Sequence, residues 1–344
     1  MNRKYFISEH SFKEQVVHGT IGNVDAEAVL LQLGYQPIQF PGIFSFSFKT
    51  KLARLGYLLK ILMTIPAGAI VVFQFPLYAR MHMLLTRLLR WKKIHIVCLI
   101  ADIEGQRNLD AALLQKEIKT LRLFKWFIVH NDRMAQWIRD TIPHAQTAAL
   151  EFFDFLVPPF TAARSRSSQV VFAGNLEKSP FIYEAEKINA NLQFNIYGPG
   201  AHKPLPATAN IHYKGVFEAR SLIHHLQGSF GLIWDGNSIE MLSGEYGEYL
   251  AYNSPHKLSL YILAGLPIIA PASSASAYLV KKYGIGITIN SLHEIGNAIN
   301  SITEENYQQM ITNMKPLAQK ISSGECLADA LAVVNEKVRG SNIK

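Results

Sequence analysis

Residues 228–271 limit the fold more than any other stretch. They read GSFGLIWDGNSIEMLSGEYGEYLAYNSPHKLSLYILAGLPIIAP. An apolar strand candidate, 230–234, ends in Asp235-Gly236. A polar loop follows, carrying Glu240, Glu245 and Glu248. Then come Asn253-Ser254-Pro255, a helix over about 255–264, the turn Gly265-Leu266-Pro267 and a second apolar strand, 268–270. Strand, helix and strand in that order make a crossover unit, which needs a parallel sheet with helices on its faces.

The helix start carries chemistry. Asn253 or Ser254 can cap it and Pro255 suits its first position. His256 and Lys257 occupy the first turn, where a cation opposes the helix macrodipole unless something negative lies nearby. A bound phosphate supplies that charge, on free backbone N–H groups and under the lysine ammonium. The plainer reading is a solvated lysine on a surface turn. A strand with an acidic end, a capped helix and a turn into a buried strand favour the phosphate, because nucleotide crevices of open α/β sheets are built so.

The rest of the chain repeats the alternation. In the first 150 residues strand candidates at 4–8, 36–40, 69–75, 94–101, 124–129 and 147–150 alternate with helices at 24–33, 51–63, 79–93 and 108–122 and one capped by Asn131. Asn23 reads as the cap of the first helix and Gly34 as its stop. Residues 152–168, FFDFLVPPFTAARSRSS, read as a linker. Domains are therefore expected at 1–160 and 169–324, with a last helix over 325–344. Residues 170–173 form a strand that runs into Gly174-Asn175-Leu176-Glu177-Lys178-Ser179-Pro180, where a lysine again precedes a helix start with Ser179 as cap.

Composition sets the outer bounds. A chain of 344 residues, 49% hydrophobic and 17% charged, is globular and long enough for two cores. Its net charge of +8 implies an anionic partner, and nucleic acid, anionic lipid and nucleotide sugars all qualify. No nucleic-acid module is present. Cys98 and Cys326 alone build no disulfide framework and fit a reducing cytoplasm. Residues 1–20 carry no apolar signal region. Residues 61–79 lack charge, but Pro66, Gly68, Gln74 and Pro76 break them, so a membrane span is not expected. The helix at 79–93 sets Arg87, Arg90, Lys92 and Lys93 beside leucines and Trp91. That pattern fits peripheral contact with the inner face of a membrane. It fits equally a core-packing helix with a basic outer face. His224-His225 has no partner at ligand spacing, so no metal site is read.

The pattern W-D-G … Y-N-S-P-H-K-L-S-L-Y-I-L-A-G-L-P-I-I-A resembles the C-terminal domain of GT-B glycosyltransferases. It is most similar to bacterial β-1,6-galactofuranosyltransferases and to the streptococcal glucosyltransferases that modify serine-rich adhesins. V-V-F-Q-F-P (71–76), L-I-A-D-I-E (99–104) and V-H-N-D-R-M (129–134) extend the likeness to the first half. It implies an α/β fold of two Rossmann-like domains facing across a cleft, with the last helix crossing back to the first. It also implies a UDP-sugar donor, galactofuranose before glucose, and a glycan acceptor, lipid-linked or on protein, with no metal and no further cofactor.

The resemblance distributes the roles. Asn175 and Lys178 match a loop that meets the diphosphate, and Lys257 joins them. Asp235, Asn253 and His256 line the same donor site. Tyr197, Val216 and Phe217 stand on loops that bracket the base and ribose, although Phe217 also suits a hydrophobic staple. His18, Gly19 and Thr20 fall on the acceptor-side loop. Asp102, at a strand end, is the candidate general base, with Glu104 as its neighbour and a cap or loop acid paired with Arg107 as the plain alternative. Family members often carry His-Asp there, and this chain has Ala101-Asp102. Retaining relatives hold the ribose with a glutamate where Leu260 stands, so Glu240, Glu245, Glu248 or Asn253 must serve. A nucleotide-sugar 2-epimerase, a silent GT-B partner subunit and a homo-oligomer stay open.

Overall fold

The computed structural model describes residues 3–8, 21–39, 48–76, 80–188, 191–201, 203–206 and 208–341. The chain divides into two units. The first comprises Met1–Gln106, Asp110–Leu150 and Leu327–Lys344; the second comprises Arg107–Leu109 and Glu151–Cys326. Residues 151–160, read above with the first domain, thus group with the second.

The first unit runs β1 (Lys4–Ser8), α1 (Ile21–Gln32), β2 (Gln36–Gln39), α2 (Phe48–Thr64), β3 (Ile70–Phe75) and α3 (Arg80–Trp91). It continues with β4 (His95–Ile100), α4 (Glu104–Arg107), α5 (Ala111–Leu121), β5 (Trp126–Val129), α6 (Asp132–Thr141) and β6 (Gln146–Ala149). Its sheet is parallel, in the order β2-β1-β3-β4-β5-β6. β3 and β4 are buried along almost their whole length, as strands covered on both faces must be, which explains IVVFQF and HIVCLI as near-continuous apolar runs. Helix starts are fixed locally. Asp110 caps α5 by accepting from the Leu113 N–H at 2.9 Å, and Asn131 caps α6 by accepting from the Met134 N–H at 3.1 Å. α1 begins three residues earlier than expected, so Asn23 lies inside its first turn and is not its cap. Gly34, at φ +78°, does end it.

The second unit runs β7 (Gln169–Ala173), β8 (Gln193–Tyr197), β9 (Ile211–Gly215), β10 (Phe230–Leu232), α7 (Gly244–Tyr249), α8 (His256–Leu263) and β11 (Ile268–Pro271). Then follow α9 (Ala275–Tyr283), β12 (Gly286–Ile289), α10 (Ile295–Asn300) and α11 (Glu304–Ser323); the last helix, α12 (Glu325–Ser341), belongs to the first unit from Leu327 on. Its parallel sheet is ordered β12-β11-β10-β7-β8-β9. The chain starts at β7, builds outward to β9, and returns to β10 on the other side. The order therefore reverses between β7 and β10, and ligands of such sheets bind outside the strand ends at that point.

The 152–168 segment is no free linker. Ser259 donates to the Phe153 carbonyl at 2.6 Å, and the Phe160 N–H to the Leu263 carbonyl at 2.8 Å. The Arg164 guanidinium donates to the carbonyls of Leu226 (2.8 Å) and Ala264 (3.1 Å) beneath the Phe160 ring. The apolar residues that looked like linker punctuation strap the second unit together. Gly324, at φ +85°, separates α11 from α12. In the first unit α12 donates from Lys337 to the Thr147 carbonyl at 2.8 Å.

Candidate functional site

Three loops meet at the reversal point of the second sheet. One follows β7, one follows β10, and one leads into α8. Asp235 sits at their centre. Its Oδ1 accepts from the Lys257 ammonium at 2.8 Å and from the Ser179 hydroxyl at 2.9 Å. Lys257 Nζ also donates to the Trp234 carbonyl at 3.3 Å and lies 4.5 Å from the centroid of the Phe172 ring. The pair is mostly buried, with side-chain exposures of 12% for the lysine and 16% for the aspartate. The neighbour across from the ammonium is Gly174: a Cβ on that glycine would stand 3.5 Å from Nζ. Lys257 thus faces the bare backbone of the β7 loop.

That loop is a built turn. Asn175 Oδ1 accepts from the Glu177 N–H at 3.0 Å and caps a single 3₁₀ turn, Leu176–Lys178. The Gly236 N–H donates to the Lys178 carbonyl at 3.2 Å, which ties the two loops together. The Lys178 ammonium lies 5.0 Å from the centroid of the Tyr246 ring on α7. Gly198, at φ +129°, lies against the same loop, and a Cβ there would fall 1.9 Å from the Gly174 carbonyl oxygen. Only glycine admits that approach.

Several expectations are corrected here. Ser179 caps nothing; its hydroxyl goes to Asp235, and the helix after it is a 3₁₀ run, Pro180–Lys187. α8 starts one residue later than read: Pro255 is its cap position, no side chain caps it, and neither Asn253 nor Ser254 serves. Tyr197 is a core residue. It is 1% exposed, its hydroxyl donates to the His225 carbonyl at 3.0 Å and accepts from the Gln227 N–H at 3.0 Å, so its ring is closed to a base. Phe217 stacks on His225, centroids 4.2 Å apart, which covers one of its faces. No α-helix starts near Glu218, only the turn Leu222–His224, so Phe217 is no staple. Glu240 pairs with His293 at 2.9 Å, away from a ribose role. Glu245 and Glu248 are exposed on α7.

At the start of α8 two polar atoms are buried without a partner: Asn253 Oδ1 and His256 Nε2. The His256 ring lies between Phe153, at 5.8 Å, and Phe155, at 5.2 Å, and bonds the main chain of Asp154. Burial lowers its pKa to about 4, against the opposing pull of that bond. The ring is therefore neutral at pH 7. A bond to the main chain through the other nitrogen leaves Nε2 as a buried acceptor, and such atoms call for a donor.

In the first unit Asp102 stands just past the end of β4, where its carboxylate accepts from the Ile103 N–H at 2.9 Å. Glu104 opens α4, whose first amides are taken by the buried Glu117: the N–H groups of Glu104 and Gly105 donate to it at 3.0 and 2.8 Å. A histidine from the neighbouring strand end does lie near Asp102. His130, just past β5, bonds the Ile100 carbonyl through Nε2 at 3.1 Å and lies within electrostatic reach of Asp102. Burial takes its pKa down to about 4, although Asp102 and the carbonyls of Ile100 and Ala101 pull upward. The signal was present in V-H-N-D-R-M, but only sheet register shows that two adjacent strand ends bring His130 to Asp102. His18, Gly19 and Thr20 lie outside the described residues. Among the described residues no three His, Cys, Asp or Glu cluster as metal ligands, and no helix is long and apolar enough to cross a membrane.

Comparison with known proteins covers both units. The family described as glucosyltransferase 3-like matches through its N-terminal domain over residues 4–150 and its C-terminal domain over residues 170–334. The beta-1,6-galactofuranosyltransferase WbbI of Escherichia coli K12 is 31% identical over 277 residues, covering 78% of this chain and 80% of that protein. Glucosyltransferase 3 of Streptococcus gordonii is 27% identical over 157 residues, 45% of each chain. Among solved structures, Anabaena HepE in complex with UDP matches with a TM-score of 0.61 at 10% identity over 99% of both chains. WaaG, a glycosyltransferase involved in lipopolysaccharide biosynthesis, matches with a TM-score of 0.52 at 12% identity over 94% of this chain and 98% of its own. At such identities these two speak to the fold alone, and the fold is GT-B.

Proposed function

The chain belongs to the glucosyltransferase 3-like family and is a glycosyltransferase; from that premise we propose that it moves a sugar from a UDP-sugar to a hydroxyl of a glycan. The observation that carries the donor assignment is the meeting of Lys257, Asp235 and the Lys178 loop at the reversal point of the second sheet. The UDP and UDP-glucose complexes of HepE, a protein of the same fold, support a uridine nucleotide. Galactofuranose is the first choice of sugar because WbbI is alike over most of its length, and glucose is the second.

In this reading the diphosphate lies over Gly174 and the uncapped start of α8, with Lys257 and Lys178 beside it. Asp235 holds Lys257 in place and shares its charge. As the bond from the anomeric carbon to the diphosphate oxygen breaks, negative charge grows on UDP, and prepositioned cations and amides stabilise it more than they do the ground state. These groups do the work of a metal, so the reaction proceeds in a chelator. Asn253 Oδ1 and His256 Nε2 accept hydrogen bonds from hydroxyls of the donor. Asp102 takes the proton of the acceptor hydroxyl as that oxygen bonds the anomeric carbon. Direct displacement inverts the anomeric centre and gives a β linkage. The acceptor is a saccharide on a lipid carrier or on a protein.

Thermal unfolding with UDP-galactofuranose, UDP-galactopyranose and UDP-glucose tests the donor. The largest rise in Tm is expected with UDP-galactofuranose. A rise with UDP-glucose alone transfers the assignment to glucose, and no rise with any of the three overturns it. Turnover that survives EDTA is the expected result for metal independence.

A further inference from the structure

A second surface lies in the first unit, on residues to which no role in sugar transfer is assigned above. Between Glu27 and Asp102 the sequence has no aspartate and no glutamate, while lysines and arginines recur from Lys49 to Lys93. This stretch forms α2, β3 and α3. The strand is buried, so this basic charge is carried by the two helices and the residues just after them.

Those helices also expose apolar groups that soluble surfaces seldom gather. On α2, Leu55, Leu59 and Met63 are 49%, 52% and 78% exposed. They follow one another at four-residue spacing and share one stripe. Leu58 and Ile61, on the opposite side, supply its buried face at 1% and 5%. On α3, Leu85 and Leu89 are fully buried, whereas Trp91 is 87% exposed. The Lys92 ammonium donates to the Leu62 carbonyl, which joins the last turn of α2 to the residues just after α3. Met63 and Trp91 therefore lie on neighbouring turns. Lys60, Arg87, Arg90 and Lys93, on the same two helices or just after the second, are exposed as well.

We propose that the α2–α3 surface docks on an anionic lipid bilayer. Three features select that occupant. The charge is of one sign over two helices, which suits a negatively charged headgroup layer. The apolar groups are flexible leucine and methionine with one tryptophan, the set that enters the headgroup boundary and stays there. The exposed apolar and basic residues are carried by the same pair of helices, so one docking surface can use both. The surface is independent of the donor site, so its failure leaves the sugar-transfer reading untouched.

The test uses the full chain and sedimentation with two kinds of vesicle, phosphatidylcholine alone and phosphatidylcholine mixed with phosphatidylglycerol. The wild type is expected to pellet with the mixed vesicles and remain in solution with the neutral ones. Raising the salt weakens the binding. The triple variant Leu59→Ser, Met63→Ser, Trp91→Ala touches only exposed side chains, and lowers vesicle affinity by roughly tenfold or more. Arg90→Glu with Lys93→Glu lowers it comparably and abolishes the preference for anionic lipid. Tm for each variant, with and without UDP, confirms that the fold and the donor site persist. Equal pelleting of wild type and triple variant overturns the proposal, and so does equal binding to the two kinds of vesicle. A dimer in light scattering that the triple variant dissociates also overturns it, in favour of a second copy of this chain.

Discussion

Lys257 is the residue on which most depends, and its position carries two consequences. It is already paired, so removing it does more than delete a phosphate ligand: it leaves Asp235 partly buried without its cation. Lys257→Ala is therefore expected both to lower Tm and to weaken UDP binding. The double variant Lys257→Met, Asp235→Asn removes both charges, restores much of the Tm, and still binds UDP poorly by calorimetry. Asp102 separates binding from chemistry. Asp102→Asn is expected to cut kcat by roughly 10²–10⁴-fold with UDP affinity unchanged. His130 sets an acid limit on stability. Its folded pKa of about 4 lies below its ordinary value of 6.5. Between those values the unfolded chain binds a proton that the folded chain refuses, so stability falls as pH drops through that window and is flat above it. For this buried ring the loss is up to about 3 kcal/mol. His256 is lowered to about 4 in the same way, so His130→Asn should remove about half of the slope of urea midpoint against pH between those limits, and an unchanged slope would contradict the assignment.

At the scale of elements, the strands were legible because both faces of a parallel sheet are covered and apolar runs mark them directly. Most helices followed, with Asn131 and Gly34 giving true boundaries. Errors concentrated where a polar side chain had two uses. Ser179 had the form of a cap and became a ligand of Asp235. Tyr197 ended a strand beside a glycine loop, as a base-stacking ring would, but tertiary hydrogen bonds had already claimed its hydroxyl. Phe152–Ser168 had linker composition, and only the structure shows Arg164 meeting the carbonyls of Leu226 and Ala264 far along the chain. The meeting of His130 with Asp102 was invisible for the same reason: it is a property of strand order. Gly198 tests the loop architecture. Gly198→Ala places a methyl against the Gly174 carbonyl at a backbone angle that suits glycine, and is expected to lower Tm and UDP affinity together. Tm at the wild-type value would show that the loop yields.

For the whole molecule, two parallel six-stranded sheets supply two sets of strand-end loops, and the chain returns to the first unit through α12. Asp102 belongs to one set and Lys257 to the other, so the proposed reaction assigns the acceptor to the first unit and the donor to the second. The basic charge divides as well. One part sits with Asp235 at the donor loops, and the other spreads over α2 and α3 with no acid near it in sequence. The central claim is that Lys178 and Lys257 hold one diphosphate between them. Calorimetric titration of UDP against uridine, in the wild type and in Lys178→Ala, Lys257→Ala and the double variant, tests it most directly. The account predicts tight UDP binding in the wild type and a loss of roughly tenfold or more in each single variant. It also predicts a double loss smaller than the sum, because the two ammonium groups share one ligand. UDP affinity unchanged by either substitution, or uridine binding as tightly as UDP, would contradict it.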